Sequence, residues 1–142
     1  MNRRQLQNLR DSFDWFAPCG PALIAKVMRN LTDNHPGVRA MFPEEAGPLN
    51  ERIFATLGQV VRNIERFHKL EGPLGQIGTR CACEGANAAH YRIMREELIS
   101  VMAELSGADW TDELARDWRD VLEAVSGAMM AGAVMEEIRK AA

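Results

Sequence analysis

Apolar residues recur along this chain at intervals of three and four. Leu49, Ile53, Leu57, Val60, Ile64 and Phe67 form one stripe. Met94, Leu98, Val101, Met102 and Leu105 form a second, and Leu114, Trp118, Val121, Leu122, Val125 and Met129 a third. That spacing gathers the apolar side chains onto one face of a helix. No segment of comparable length alternates with period two. The pattern predicts an all-α fold of six to eight helices, packed ridge into groove.

Prolines and glycines set the breaks. Pro18, Gly20 and Pro21 separate a first helix from a second that runs to about Asn34. Pro36 and Gly47-Pro48 each suit the first turn of a helix, where a missing N–H costs nothing. Gly72, Pro73 and Gly75 predict a further break, and Gly85 the end of a short helix. Thr111 is the expected cap of the last helix, with Asp112 and Glu113 in its first turn.

A length of 142 residues, 46% hydrophobic, suits one domain over residues 1–142 with a single core. Net charge is -3 and no basic stripe stands out, which gives nucleic acid little support as a partner. No run approaches the ~20 apolar residues of a membrane span. Met1-Asn2-Arg3-Arg4-Gln5 leads into polar sequence without an apolar signal segment, so the cytoplasm is the expected compartment. Cys19, Cys81 and Cys83 are an odd number in an expected reducing compartment, which speaks against a disulfide framework; they are one short of a four-cysteine zinc site, and Cys81-Ala82-Cys83 is too tight for the usual zinc knuckle.

The run Ala128-Met129-Met130-Ala131-Gly132-Ala133-Val134-Met135 is apolar on all sides, more than one core-facing stripe requires. It predicts a homodimer through the last two long helices. The alternative is that the N-terminal helix covers the second side through Phe13 and Trp15.

Two local signatures then sharpen the helical pattern. One is Asn34-His35-Pro36-Gly37-Val38-Arg39-Ala40-Met41-Phe42-Pro43. The other runs from Arg80 through Gly85 to His90-Tyr91, then Glu97-Leu98, and on to Trp118. Together they resemble bacterial single-domain haemoglobins and the globin domain of flavohaemoglobins, over nearly the whole chain. The match is ungapped from about Leu49 to Trp118; a shortened connection between Phe42 and Leu49 is the main departure in length. The resemblance implies a three-on-three globin sandwich, with the E and F helices enclosing a tetrapyrrole. It also implies a globin domain standing without the flavin and nicotinamide domains of a flavohaemoglobin.

Carried over residue by residue, the resemblance puts Phe42 against the haem face and Cys81 where the family keeps its proximal iron-binding histidine. His35, His68 and His90 do not fit that role. The B-helix position that often holds tyrosine matches Met28. The distal E-helix position matches Leu49, and the residue one turn on matches Ile53. None of these three side chains can donate a hydrogen bond to bound dioxygen. Tyr91 keeps a tyrosine that, in similar proteins, braces the proximal histidine with a glutamate; the glutamate position matches Ala133. Arg52 and Arg80 match places that can meet haem propionates, to which arginine offers paired hydrogen bonds. Ile77 completes the set of expected cofactor contacts.

Three readings of Cys81 stay open. It could be a thiolate ligand to haem iron, favoured in its ionised form by Arg80; that protein would be a sensor or binding protein and not an oxygen store. The pocket could instead hold a bilin such as biliverdin, which needs no iron ligand. Or no cofactor binds, and the fold is a signalling or scaffold module with Cys81 a small buried hydrophobe. No Ser-His-Asp array, phosphate loop or Glu-His metal motif is present, so the sequence supports no dedicated enzyme chemistry.

Overall fold

In a computed structural model that describes residues 1–142, each helix begins and ends where local chemistry favours it. Helix α1 (Arg3–Phe16) opens on a reciprocal cap: Gln5 N donates to Asn2 Oδ1 at 2.9 Å, and Asn2 N to Gln5 Oε1 at 3.1 Å. One turn of 3₁₀ helix, Ala17–Cys19, leads to α2 (Gly20–Asn34), with Pro21 in its first turn. Pro36 starts a 3₁₀ segment to Met41, and Gly47-Pro48 starts α3 (Gly47–Arg62). Then follow α4 (Glu71–Cys83), α5 (Ala88–Ser106) and the 30-residue α6 (Asp112–Ala141). Thr111 caps α6 by accepting from Leu114 N at 3.0 Å. No strand forms, and no helix is long and apolar enough to cross a membrane.

Two expectations need correction. The stripe from Leu49 to Phe67 is not one helix. Asn63 leaves helical geometry, its Nδ2 donates to the Gln59 carbonyl at 2.8 Å, and a 3₁₀ segment carries Ile64–Lys69. An asparagine amide competes in this way for the carbonyls that would extend a helix. The chain also does not break at Gly72, Pro73 and Gly75. The break falls before them, Pro73 sits in the first turn of α4, and Gly75 lies inside the helix.

The helices cross as two layers of three, α1, α3 and α4 over α2, α5 and α6. Helix α1 crosses α6 through the fully buried Trp118, whose Nε1 donates to Ser12 Oγ at 2.9 Å. Helix α3 crosses α2, and α4 packs mainly on α6. That last crossing is very close. A Cβ added at Gly75 would lie 3.1 Å from Gly132 Cα, and one at Gly78 would overlap the Met129 carbonyl. Ile24, Val27, Val101, Met102 and Val121 fill the centre between the layers.

The close crossing accounts for part of the small-residue run on α6, since Met129 and Gly132 face α4 inside the same molecule. The N-terminal helix does not cover the rest in the way expected. Phe13 stacks on Phe54 of α3, ring centroids 4.9 Å apart, and Trp15 is 47% exposed.

Candidate functional site

The end of α4 is shaped by its glycine. Gly85 takes φ +94°, and the chain turns back so that Ala86 N donates to the Cys81 carbonyl and Gly85 N to that of Ala82, both at 3.0 Å. This pair of bonds is the Schellman arrangement, and it needs a residue at ease with positive φ. It ties off the turn that carries Cys81 and directs the chain into α5. There Asn87 caps the helix, accepting from Ala89 N and His90 N, while His90 Nδ1 accepts from Asn87 N at 3.0 Å. His90 is thus committed to a cap, and His35 and His68 are exposed.

Cys81, half-buried on α4, lies near enough to Tyr91, half-buried on α5, for each to affect the other's titration. Burial pushes the Cys81 thiol above its ordinary range; hydrogen bonding with Tyr91 and the nearby Arg80 charge pull it down, and Glu84 pushes it up. Burial wins, so the expectation that Arg80 favours the thiolate holds for its direction and not for the outcome. The Tyr91 hydroxyl is pushed up to about 12 by its own burial, by the Cys81 charge and by their shared hydrogen bond. At neutral pH, with nothing bound to the sulfur, the pair is therefore a neutral thiol beside a neutral phenol.

Met28 of α2, Phe42 and Leu49 of α3 line one recess of about 910 Å³, beside the 3₁₀ segment Pro36–Met41. Ile53 and Ile77 are half-buried on α3 and α4, outside that lining. Arg52 and Arg80 are exposed and make no ion pair. The expected site residues thus fall into two groups, Met28–Phe42–Leu49 on the recess and Cys81–Tyr91 at the α4–α5 corner.

Three residues of the recess were not among the expected site residues, although Arg39 lies in the first globin-like signature. Asn50 is only 7% exposed, and its Oδ1 has no hydrogen-bond partner. The wall formed by Met28 and Leu49 is therefore not purely apolar. Arg29 and Arg39 also line the recess, and neither forms an ion pair. Asn50 directly follows Leu49, and that adjacency was the only signal available.

The residues present fit a tetrapyrrole. Phe42, Leu49, Ile53 and Ile77 are apolar and half-buried, side chains that suit a flat apolar ligand, although Ile53 and Ile77 do not line the recess that Phe42 and Leu49 share. Cys81 offers one sulfur donor from α4, and arginines stand on both α3 and α4 for carboxylates.

Comparison with known proteins agrees with this architecture. The model of the globin family matches residues 25–129. A bacterial globin from Campylobacter jejuni superposes with a TM-score of 0.85 at 15% identity, covering 96% of this chain and 99% of that one. An engineered carbene transferase from Rhodothermus marinus superposes at 0.87 with 20% identity, covering 100% and 99%. At such identities the two structures speak for the fold alone.

Proposed function

This chain belongs to the globin family, and we propose that it binds a tetrapyrrole between α3 and α4, with haem as the cofactor and Cys81 as the proximal iron ligand. The observation that carries the reading is the Cys81–Tyr91 pair. A half-buried sulfur donor on α4, near enough to a tyrosine of α5 for each to shift the other's titration, stands where the family resemblance expects a braced ligand. Haem, when bound, supplies an iron that can take up a gas or an electron.

The residues of the chain divide the remaining work. Cys81 would hold the iron as a thiolate. Tyr91, beside it, would orient the sulfur. Met28, Leu49 and Ile53 themselves carry no donor for bound dioxygen, which supports a sensor or binding role over oxygen storage.

An absorption spectrum of the full chain, alone and after adding haemin or biliverdin, tests the reading. A sharp near-ultraviolet band with haemin, altered in Cys81→Ser and unaltered in Cys19→Ser and Cys83→Ser, is expected. Three variants with equal spectra remove the ligand role. A broad red band with biliverdin alone moves the function to bilin binding, and neither band leaves a cofactor-free module. A long-lived oxy spectrum in air contradicts the exclusion of oxygen storage.

The same proposal includes a homodimer through α5 and α6. Val134, Met135 and Ile138, in the last turns of α6, are each more than half exposed, which supports a partner there. A light-scattering mass that stays at 15.9 kDa on concentration removes the dimer.

A further inference from the structure

We propose that the recess between α2, the segment Pro36–Met41 and the start of α3 is a binding site for a largely apolar molecule carrying a carboxylate. Arg29 and Arg39 receive the carboxylate, and the Asn50 amide makes the inner polar contact. The argument starts from Asn50. A buried amide with an unpartnered oxygen destabilises the free protein, because desolvation is not repaid by a hydrogen bond. The apolar neighbours Met28, Phe42 and Leu49 cannot repay it, and all of them line the same recess. A ligand can. The amide presents either its oxygen or its nitrogen by a half-turn of its terminal bond, so it pairs with a donor or an acceptor.

Charge supplies the second observation. Arg29 and Arg39 line the recess without ion-pair partners, against one carboxylate, Glu44. Two guanidinium groups beside an apolar floor select a molecule with a carboxylate and an apolar body. At about 910 Å³ the recess has room for such a molecule. Two sources share this chemistry, a free fatty-acid-type carboxylate and the propionates of a tetrapyrrole; only the second rests on the function proposed above.

The full chain is titrated with dodecanoate against dodecanol by calorimetry, and with haemin against haemin dimethyl ester by absorption. If the ligand is a free carboxylate, dodecanoate binds at least about tenfold more tightly than dodecanol, the gain of one charge-assisted contact. The double variant Arg29→Gln, Arg39→Gln then abolishes that preference and leaves haemin unaffected. If propionates occupy the site, the preference for haemin over its ester is the one the double variant abolishes. In either case Asn50→Leu weakens the selected ligand and leaves the thermal midpoint of the free protein unchanged or higher. Acid binding no better than alcohol or ester in both series overturns the proposal, as does a double variant with no effect in either. A lower midpoint for unliganded Asn50→Leu also overturns it, since Asn50 would then be structural. The dodecanoate series needs no iron, so its outcome is separate from the fate of Cys81 as a haem ligand.

Discussion

The indole nitrogen of Trp118 donates to the hydroxyl of Ser12 at 2.9 Å, joining α6 to α1 where both residues are sealed from solvent. Ser12 also donates to the Asn8 carbonyl at 2.7 Å, so its hydroxyl both accepts and donates. Removing it leaves a buried N–H without a partner. Ser12→Ala should lower unfolding free energy by about 1–3 kcal/mol, measured by urea denaturation. Adding Trp118→Phe removes the stranded donor. The double variant should therefore fall short of the sum of the two single losses, and strictly additive losses would show that the bond contributes nothing.

The glycine crossing of α4 and α6 makes a second contrast. A Cβ at Gly78 meets the Met129 carbonyl, which is backbone and cannot swing aside. Gly78→Ala should cost about 1–3 kcal/mol, the usual range for overpacking. Gly72 lies in the first turn of the same helix with nothing near its Cβ position. Gly72→Ala should be neutral or slightly stabilising, by up to about 1 kcal/mol, through the unfolded chain. Thermal melts of the two variants side by side check this; equal effects would mean that α4 does not sit this close to α6.

Titration of Tyr91 sets a pH window. Its hydroxyl moves from an ordinary 10.0 to about 12 on folding. Below about pH 10 both folded and unfolded chains keep the proton, and the contribution to stability is fully present. Above that the unfolded chain ionises first, so stability falls until the folded phenol ionises near 12. Alkaline unfolding followed by circular dichroism should show this slope in the parent chain, and Tyr91→Phe should flatten it. An unchanged slope in the variant would place the titration elsewhere.

The three thiols should separate by reactivity. Cys19 and Cys83 are exposed, whereas Cys81 is half-buried with its thiol shifted up by that burial. Only the thiolate reacts with a disulfide reagent. In the cofactor-free chain at neutral pH two thiols should therefore react quickly and a third slowly, with the slow phase missing in Cys81→Ser. In Tyr91→Phe the pull of the tyrosine hydroxyl is lost, and the slow phase should slow further. Three thiols reacting at one rate would contradict this placement of Cys81.

The helical order of this protein was written in its sequence because it rests on local rules. Apolar spacing named the core faces, including Trp118, Val121 and Leu122. Thr111, Gly47-Pro48 and Gly85 acted through their own backbone and immediate neighbours, and each stands at the helix end it implied. The globin resemblance followed from residue types at short separations, and the placing of Tyr91 beside the Cys81 position was what that resemblance implied. Tertiary structure decided the features whose reason lies on another helix. Gly75 reads locally as a breaker, yet it lies inside α4, where the absent Cβ lets Gly132 of α6 approach. Asn50 reads as one more polar residue in a first helical turn, and only the crossing of α2 over α3 buries its amide beside Met28 and leaves its oxygen without a partner. Arg29 and Arg39 stand ten positions apart in the chain and share a recess only because Pro36 turns it between them. A cap or a stripe is settled within a few residues, whereas burial and charge convergence are sums over neighbours that only the folded arrangement supplies.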